Sequence, residues 1–77
     1  MNDNEKIIEQ ELIEMDIALT QDNQTNFDKH LAILLKYVPN YEIRIISENM
    51  DIIAKWDGFT KEDDNYYYKG YKILVLN

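Results

Sequence analysis

The sequence predicts an α+β fold: an N-terminal helical hairpin packed on one face of a three-stranded antiparallel sheet. Apolar residues recur at helical spacing as far as Val38, Pro39 breaks the pattern, and from Tyr41 onward apolar residues alternate at the period of a strand. Seventy-seven residues suit one domain, 1–77, with one modest core; at this size only about 60% of the unfolded chain's surface is buried on folding.

A first helix is predicted from about Asn4 to Leu19, with Asp3 or Asn2 as its N-cap and Glu5 in a first turn where the helix dipole favours a carboxylate. Ile8, Leu12, Met15 and Leu19 fall on one stripe. Glu5, Glu9 and Asp16 border that stripe on one side, and Glu11 and Glu14 border it on the other. Ile13 and Ile17 lie nearly opposite, where a helix resting on a core meets water, so they need a second neighbour. Thr20 to Gln24 is a polar link. Thr25-Asn26-Phe27-Asp28 then reads as a capping box that opens a second helix, with Phe27, Leu31, Leu34, Leu35 and Val38 as its buried stripe. Proline disfavours helical geometry in the residue before it, so this helix stops at Val38. Two helices joined by so short a link pack as an antiparallel hairpin.

In the second half, Tyr41, Ile43 and Ile45 alternate with Glu42, Arg44 and Ile46 and predict a first strand. Ser47 to Asp51 supplies a turn and Ile52 to Trp56 a second strand. Asp57-Gly58 either closes a tight hairpin onto Phe59-Thr60 or begins a loop to Asn65 with Glu62-Asp63-Asp64 at its tip. The last strand runs from Tyr66 to Leu76, with a bulge or turn at Lys69-Gly70. In such a meander Ile43, Ile45, Ile52, Ala54, Trp56, Tyr71, Ile73 and Val75 point to the face under the helices. The opposite face holds Glu42, Arg44, Lys55 and Lys72 at one end and an apolar cluster, Ile46, Ile53, Leu74 and Leu76, at the other. A two-helix layer covers one side of a sheet, which leaves that cluster open to a second copy of the chain.

Charge sets the class of partner. The chain carries a net charge of −7, and its first 28 residues hold eight acids against a single base, Lys6. Such a balance repels phosphate backbones and anionic lipid, so direct nucleic-acid and membrane binding are disfavoured and a basic protein surface is the complement. The same charge also serves solubility. With no cysteine, neither a disulfide nor a thiolate metal site is open to the chain, which fits a reducing compartment. The apolar runs are a few residues long, and no basic segment leads into a hydrophobic one at the start, so a cytoplasmic protein is expected.

Catalytic chemistry finds little footing. His30 is the only histidine and reads as a surface or partly buried helix residue. Ser47 has no glycine-flanked nucleophile context, and Gly58 and Gly70 cannot form a phosphate-cradling loop. The stretch Asp57 to Asn65 lacks the alternating ligands of a calcium loop. No catalytic residue, metal site or cofactor is assigned, and the chain is not expected to be an enzyme.

What remains is binding. Glu5, Glu9, Glu11, Glu14 and Asp16 can stand in for phosphates before a basic surface, with Ile13 and Ile17 as apolar anchors. Tyr66, Tyr67, Tyr68 and Tyr71 offer large, rigid contact area, although alternate tyrosines also half-bury themselves in ordinary strands. In size, acidity and absence of catalytic chemistry the chain resembles the small acidic inhibitors made by bacteriophages, including anti-CRISPR proteins and other DNA mimics. That resemblance implies stoichiometric occupation of a basic, nucleic-acid-binding surface of a host protein. The competing expectation is a structural homodimer sealed by Ile46, Ile53, Leu74 and Leu76, with no inhibitory role.

Overall fold

A computed structural model of the protein describes residues 2–77. The fold is α+β, and the chain divides into two compact units, Met1–Pro39 and Asn40–Asn77.

The first unit holds α1 (Asp3–Thr20) and α2 (Gln24–Tyr37). Asn2 caps α1: its side chain accepts a hydrogen bond from the Glu5 N–H at 2.8 Å, satisfying a donor that the helix leaves open. The helix closes in a Schellman arrangement. Asp22 takes a left-handed φ of 54°, its N–H donates to Leu19 O at 3.0 Å, and the Asn23 N–H donates to Ala18 O at 2.8 Å. Asn23 also opens α2, its side chain accepting from the Asn26 N–H at 3.1 Å. The cap is therefore Asn23 and not the expected Thr25, because the residue that ends one helix already stands where the next begins. Val38 ends α2, its N–H donating to Leu34 O at 2.9 Å, and Pro39 follows as expected. Met15, Ala18 and Leu19 of α1 and Phe27, Leu31 and Leu34 of α2 are buried, at the three- and four-residue spacing of facing stripes.

The second unit corrects the expected sheet. It has four strands: β1 (Ile43–Ile46), β2 (Phe59–Glu62), β3 (Asn65–Tyr68) and β4 (Tyr71–Leu76), in the order β1-β4-β3-β2. The sheet is mixed. β2, β3 and β4 form an antiparallel meander, while β1 pairs parallel to β4 with Ile43 opposite Ile73 and Ile46 opposite Leu76. Residues 52 to 56, expected as a strand, are instead the end of a helical turn, in which a 3-10 segment (Ser47–Asn49) runs into a one-turn helix, α3 (Met50–Ile53). The reason lies in spacing: Ile53 and Trp56 are buried three residues apart, whereas Ala54, which strand alternation would bury, is exposed. Deprived of that hairpin partner, β1 joins β4, which is thereby hydrogen-bonded on both sides.

Asp57-Gly58 leads into β2, which pairs with β3 and not with residues 52–56. The Asp63-Asp64 turn joins β2 to β3. The long final strand is divided at Lys69-Gly70, both at positive φ (49° and 87°), the geometry of a tight two-residue hairpin turn whose backbone twist matches that of the strands. Among the described residues, Ile43, Ile45, Ile53, Trp56, Tyr68 and Ile73 are the buried apolar set of this unit. Trp56 and Tyr68 meet with ring centroids 6.0 Å apart at 60°, a tilted contact that suits their quadrupoles.

Candidate functional site

The acids of α1 separate into two groups. Glu5, Glu9 and Asp16 are exposed, whereas Glu11 and Glu14 are half-buried. Glu11 Oε2 lies 2.6 Å from His30 Nδ1, a contact that links α1 to α2 with both side chains largely covered. Glu14 accepts a hydrogen bond from Gln10 Nε2 at 3.0 Å, one turn away. The expected five-carboxylate display therefore reduces to Glu5, Glu9 and Asp16, with Glu11 serving the hairpin. Sequence carried a signal for this, since Glu11 adjoins the buried stripe of α1 and His30 adjoins that of α2, but spacing within one helix cannot reveal a partner on another.

Ile13 and Ile17 stand on the outward side of α1, 52% and 43% exposed. Beside them run Glu9 and Asp16, with Glu5 one turn further along the same flank; Lys6, the one base of this helix, is also exposed. The result is an apolar pair with an acidic border.

The tyrosines do not form one surface. Tyr68 is fully buried, so its expected part in partner contact is corrected: it belongs to the core with Trp56. Tyr66 is half-buried on the inner face of the sheet, stacked on Phe59 at 5.7 Å with Lys61 Nζ 5.7 Å from its ring centroid. Tyr71, paired with Tyr68, shares that inner face, and Tyr67 takes the outer one, paired with Thr60 on one side and Lys72 on the other. Alternation divides the run because successive strand residues point to opposite faces.

Of the four residues expected to form a self-association cluster, three lie exposed on the outer face of the sheet. Ile46, Leu74 and Leu76 are 46%, 41% and 37% exposed on the outer face, with Ile46 directly opposite Leu76. Ile53 is completely buried in α3 and takes no part; its expected place on the seam followed from reading residues 52–56 as a strand. Arg44 pairs with Leu74, and Lys72 lies two residues before it, so two bases adjoin the apolar trio. Below the first strand, burial raises the Tyr41 hydroxyl above its ordinary 10.0, while a hydrogen bond from the Arg44 backbone and the charge of Arg44 act in the opposite sense.

Among the described residues, no group of three or more His, Cys, Asp or Glu side chains could hold a metal ion. No helix among them is long and apolar enough to cross a membrane. Comparison of the chain with protein families, curated proteins and solved structures finds no match to any of the three.

Proposed function

We propose that this protein acts by stoichiometric binding, as a small acidic inhibitor or adaptor that lays the outward face of α1 on a basic protein surface of the kind that handles nucleic acid. The reading is of the phage-inhibitor type, anti-CRISPR-like or DNA-mimicking. The observation that carries it is the coincidence of Ile13 and Ile17, about half exposed, with the free-standing flank of Glu5, Glu9 and Asp16. Apolar anchors supply contact energy, and fixed carboxylates steer a basic partner into register and exclude acidic ones. Binding of this sort requires neither turnover nor cofactor.

The test is capture of partners from lysate at low and then raised salt. The native chain is compared with Glu5→Gln, Glu9→Gln, Asp16→Asn, which leaves the Glu11–His30 contact in place. A nucleic-acid-handling protein that the native chain retains, that raised salt or added DNA releases, and that the neutralised chain fails to retain is the expected result. Identical partners on both chains would refute the acidic reading.

A second reading, structural self-association, draws on the outer sheet face. Ile46, Leu74 and Leu76 form a contiguous exposed apolar group there, and such groups mark interfaces when rimmed by polar residues.

A further inference from the structure

Of the large apolar side chains exposed among the described residues, all but Tyr37 fall into two groups of opposite surrounding charge. On α1, Ile13 and Ile17 are bordered by Glu9 and Asp16; on the sheet, Ile46, Leu74 and Leu76 are bordered by Arg44 and Lys72. Each group offers what the other lacks. We propose that the outer face of the sheet docks the outward face of α1 from a second copy of this chain, in a head-to-tail contact.

Spacing supports the fit. Ile13 and Ile17 are separated by about 6 Å along the helix axis, and Leu74 and Leu76 by about 7 Å along β4. A helix laid along β4 sets the two isoleucines against the leucines and Ile46, with its acidic flank toward Arg44 and Lys72. The strands place one acid on this face, Glu62 on β2, two strands from β4 and about 10 Å away, outside the contact; Glu42, exposed just before β1, lies beyond Arg44 at the end of the face away from Ile46 and Leu76. A two-fold contact of sheet face with sheet face is disfavoured by the same observations. It would apply one patch to itself, offering Arg44 and Lys72 none of the acidic flank that α1 supplies and leaving Ile13 and Ile17 uncovered.

The proposal rests on reading the outward face of α1 as a docking surface, and it separates from the proposed function by experiment. Two variants are made at exposed positions: Ile13→Gln with Ile17→Gln on the helix, and Ile46→Thr with Leu74→Thr on the sheet, the latter retaining strand-compatible residues. Light scattering across a concentration series should show the native chain exceeding 9.2 kDa, and each variant by itself should remain at that mass. An equimolar mixture of the two variants should form a dimer, because each retains the face that the other has lost. The concentration for half-association should rise at least roughly tenfold in either variant, equivalent to about 1.4 kcal/mol.

A native chain that stays monomeric throughout overturns the proposal, as does self-association that persists in the helix variant. If a variant fails to fold by circular dichroism, Arg44→Gln with Lys72→Gln keeps the apolar residues and must still weaken association and flatten its salt dependence. No change in that variant also overturns the proposal. Dimer formation by the mixture without capture of any basic partner would leave this contact standing and remove the inhibitor reading. Capture by a chain that never self-associates would do the reverse.

Discussion

Replacing Ile53 by alanine separates core from seam. Its side chain is completely buried in α3, so truncation removes apolar contact and leaves a cavity that neighbours fill only in part. The expected cost is about 3 kcal/mol. A chain of this length has a total stability of about 4 to 12 kcal/mol, so the loss is a large fraction of it and corresponds to a fall in Tm of roughly 12 to 24 °C. Leu74→Ala, at a position that is substantially exposed, should cost no more than about 0.5 kcal/mol. Urea unfolding followed by the fluorescence of Trp56, the only tryptophan and a buried one in the same unit, measures both. Ile53→Lys should abolish the folded population and so should not yield a folded monomer. If Ile53→Ala costs under about 1 kcal/mol, the placement of Ile53 in the core is wrong.

Six other substitutions test local arguments. Glu11→Ala and His30→Ala should each destabilise by about 1 to 2 kcal/mol, and the double variant should reveal a coupling of about 1 kcal/mol in thermal melts, since both groups are largely covered and 2.6 Å apart. Asn23→Ala should cost about 1 kcal/mol and shorten protection of the first α2 amides in hydrogen exchange, because the side chain that accepts from Asn26 N–H is lost. Gly58→Ala should cost about 1 to 3 kcal/mol: φ is 105° and an added Cβ would stand 2.7 Å from Lys69 Cγ. Gly70→Ala, where an added Cβ meets nothing within 4 Å, should cost less in the same denaturation assay. For Tyr41 the folded-state pKa lies above the ordinary 10.0, so the folded form holds its proton longer than the unfolded form. Stability should therefore be intact below that value and decline as pH rises through the raised one; Tyr41→Phe should flatten this alkaline decline in a pH series.

Both helices and the division at Pro39 were legible because their apolar spacing extends over several turns, which no strand pattern imitates. The turn at Lys69-Gly70 was legible from glycine. Residues 52–56 were misread because Ile52, Ala54 and Trp56 satisfy a period of two while Met50, Ile53 and Trp56 satisfy a period of three, and five residues are too few to choose between them. That single error propagated. It removed a helical turn, supplied a false hairpin partner for the first strand, hid the parallel pairing of β1 with β4, and placed Ile53 on the outer face. The remaining outer-face residues, Ile46, Leu74 and Leu76, were placed correctly because the parity of β1 and β4 does not depend on which strand lies between them in sequence. Glu11 escaped detection for a different reason: a carboxylate at the edge of a buried stripe and a histidine 19 positions away become partners only when the hairpin closes.

The distribution of charge bears more on function than its total. Solubility is served by almost any scattering of 15 acids over the surface, and it gains nothing from isoleucines left about half exposed among them. On α1, Glu11 and Glu14 are engaged within the helical unit, and Glu5, Glu9 and Asp16 share a flank with those isoleucines. A docking face needs this arrangement: an apolar centre that gains by desolvation, and a charged border that stays hydrated until a complementary surface arrives. Loss of binding should accordingly follow neutralisation of Glu5, Glu9 and Asp16. Removal of an equal number of acids from the Glu62-Asp63-Asp64 hairpin tip should leave binding intact, although both changes raise the net charge from −7 by the same amount.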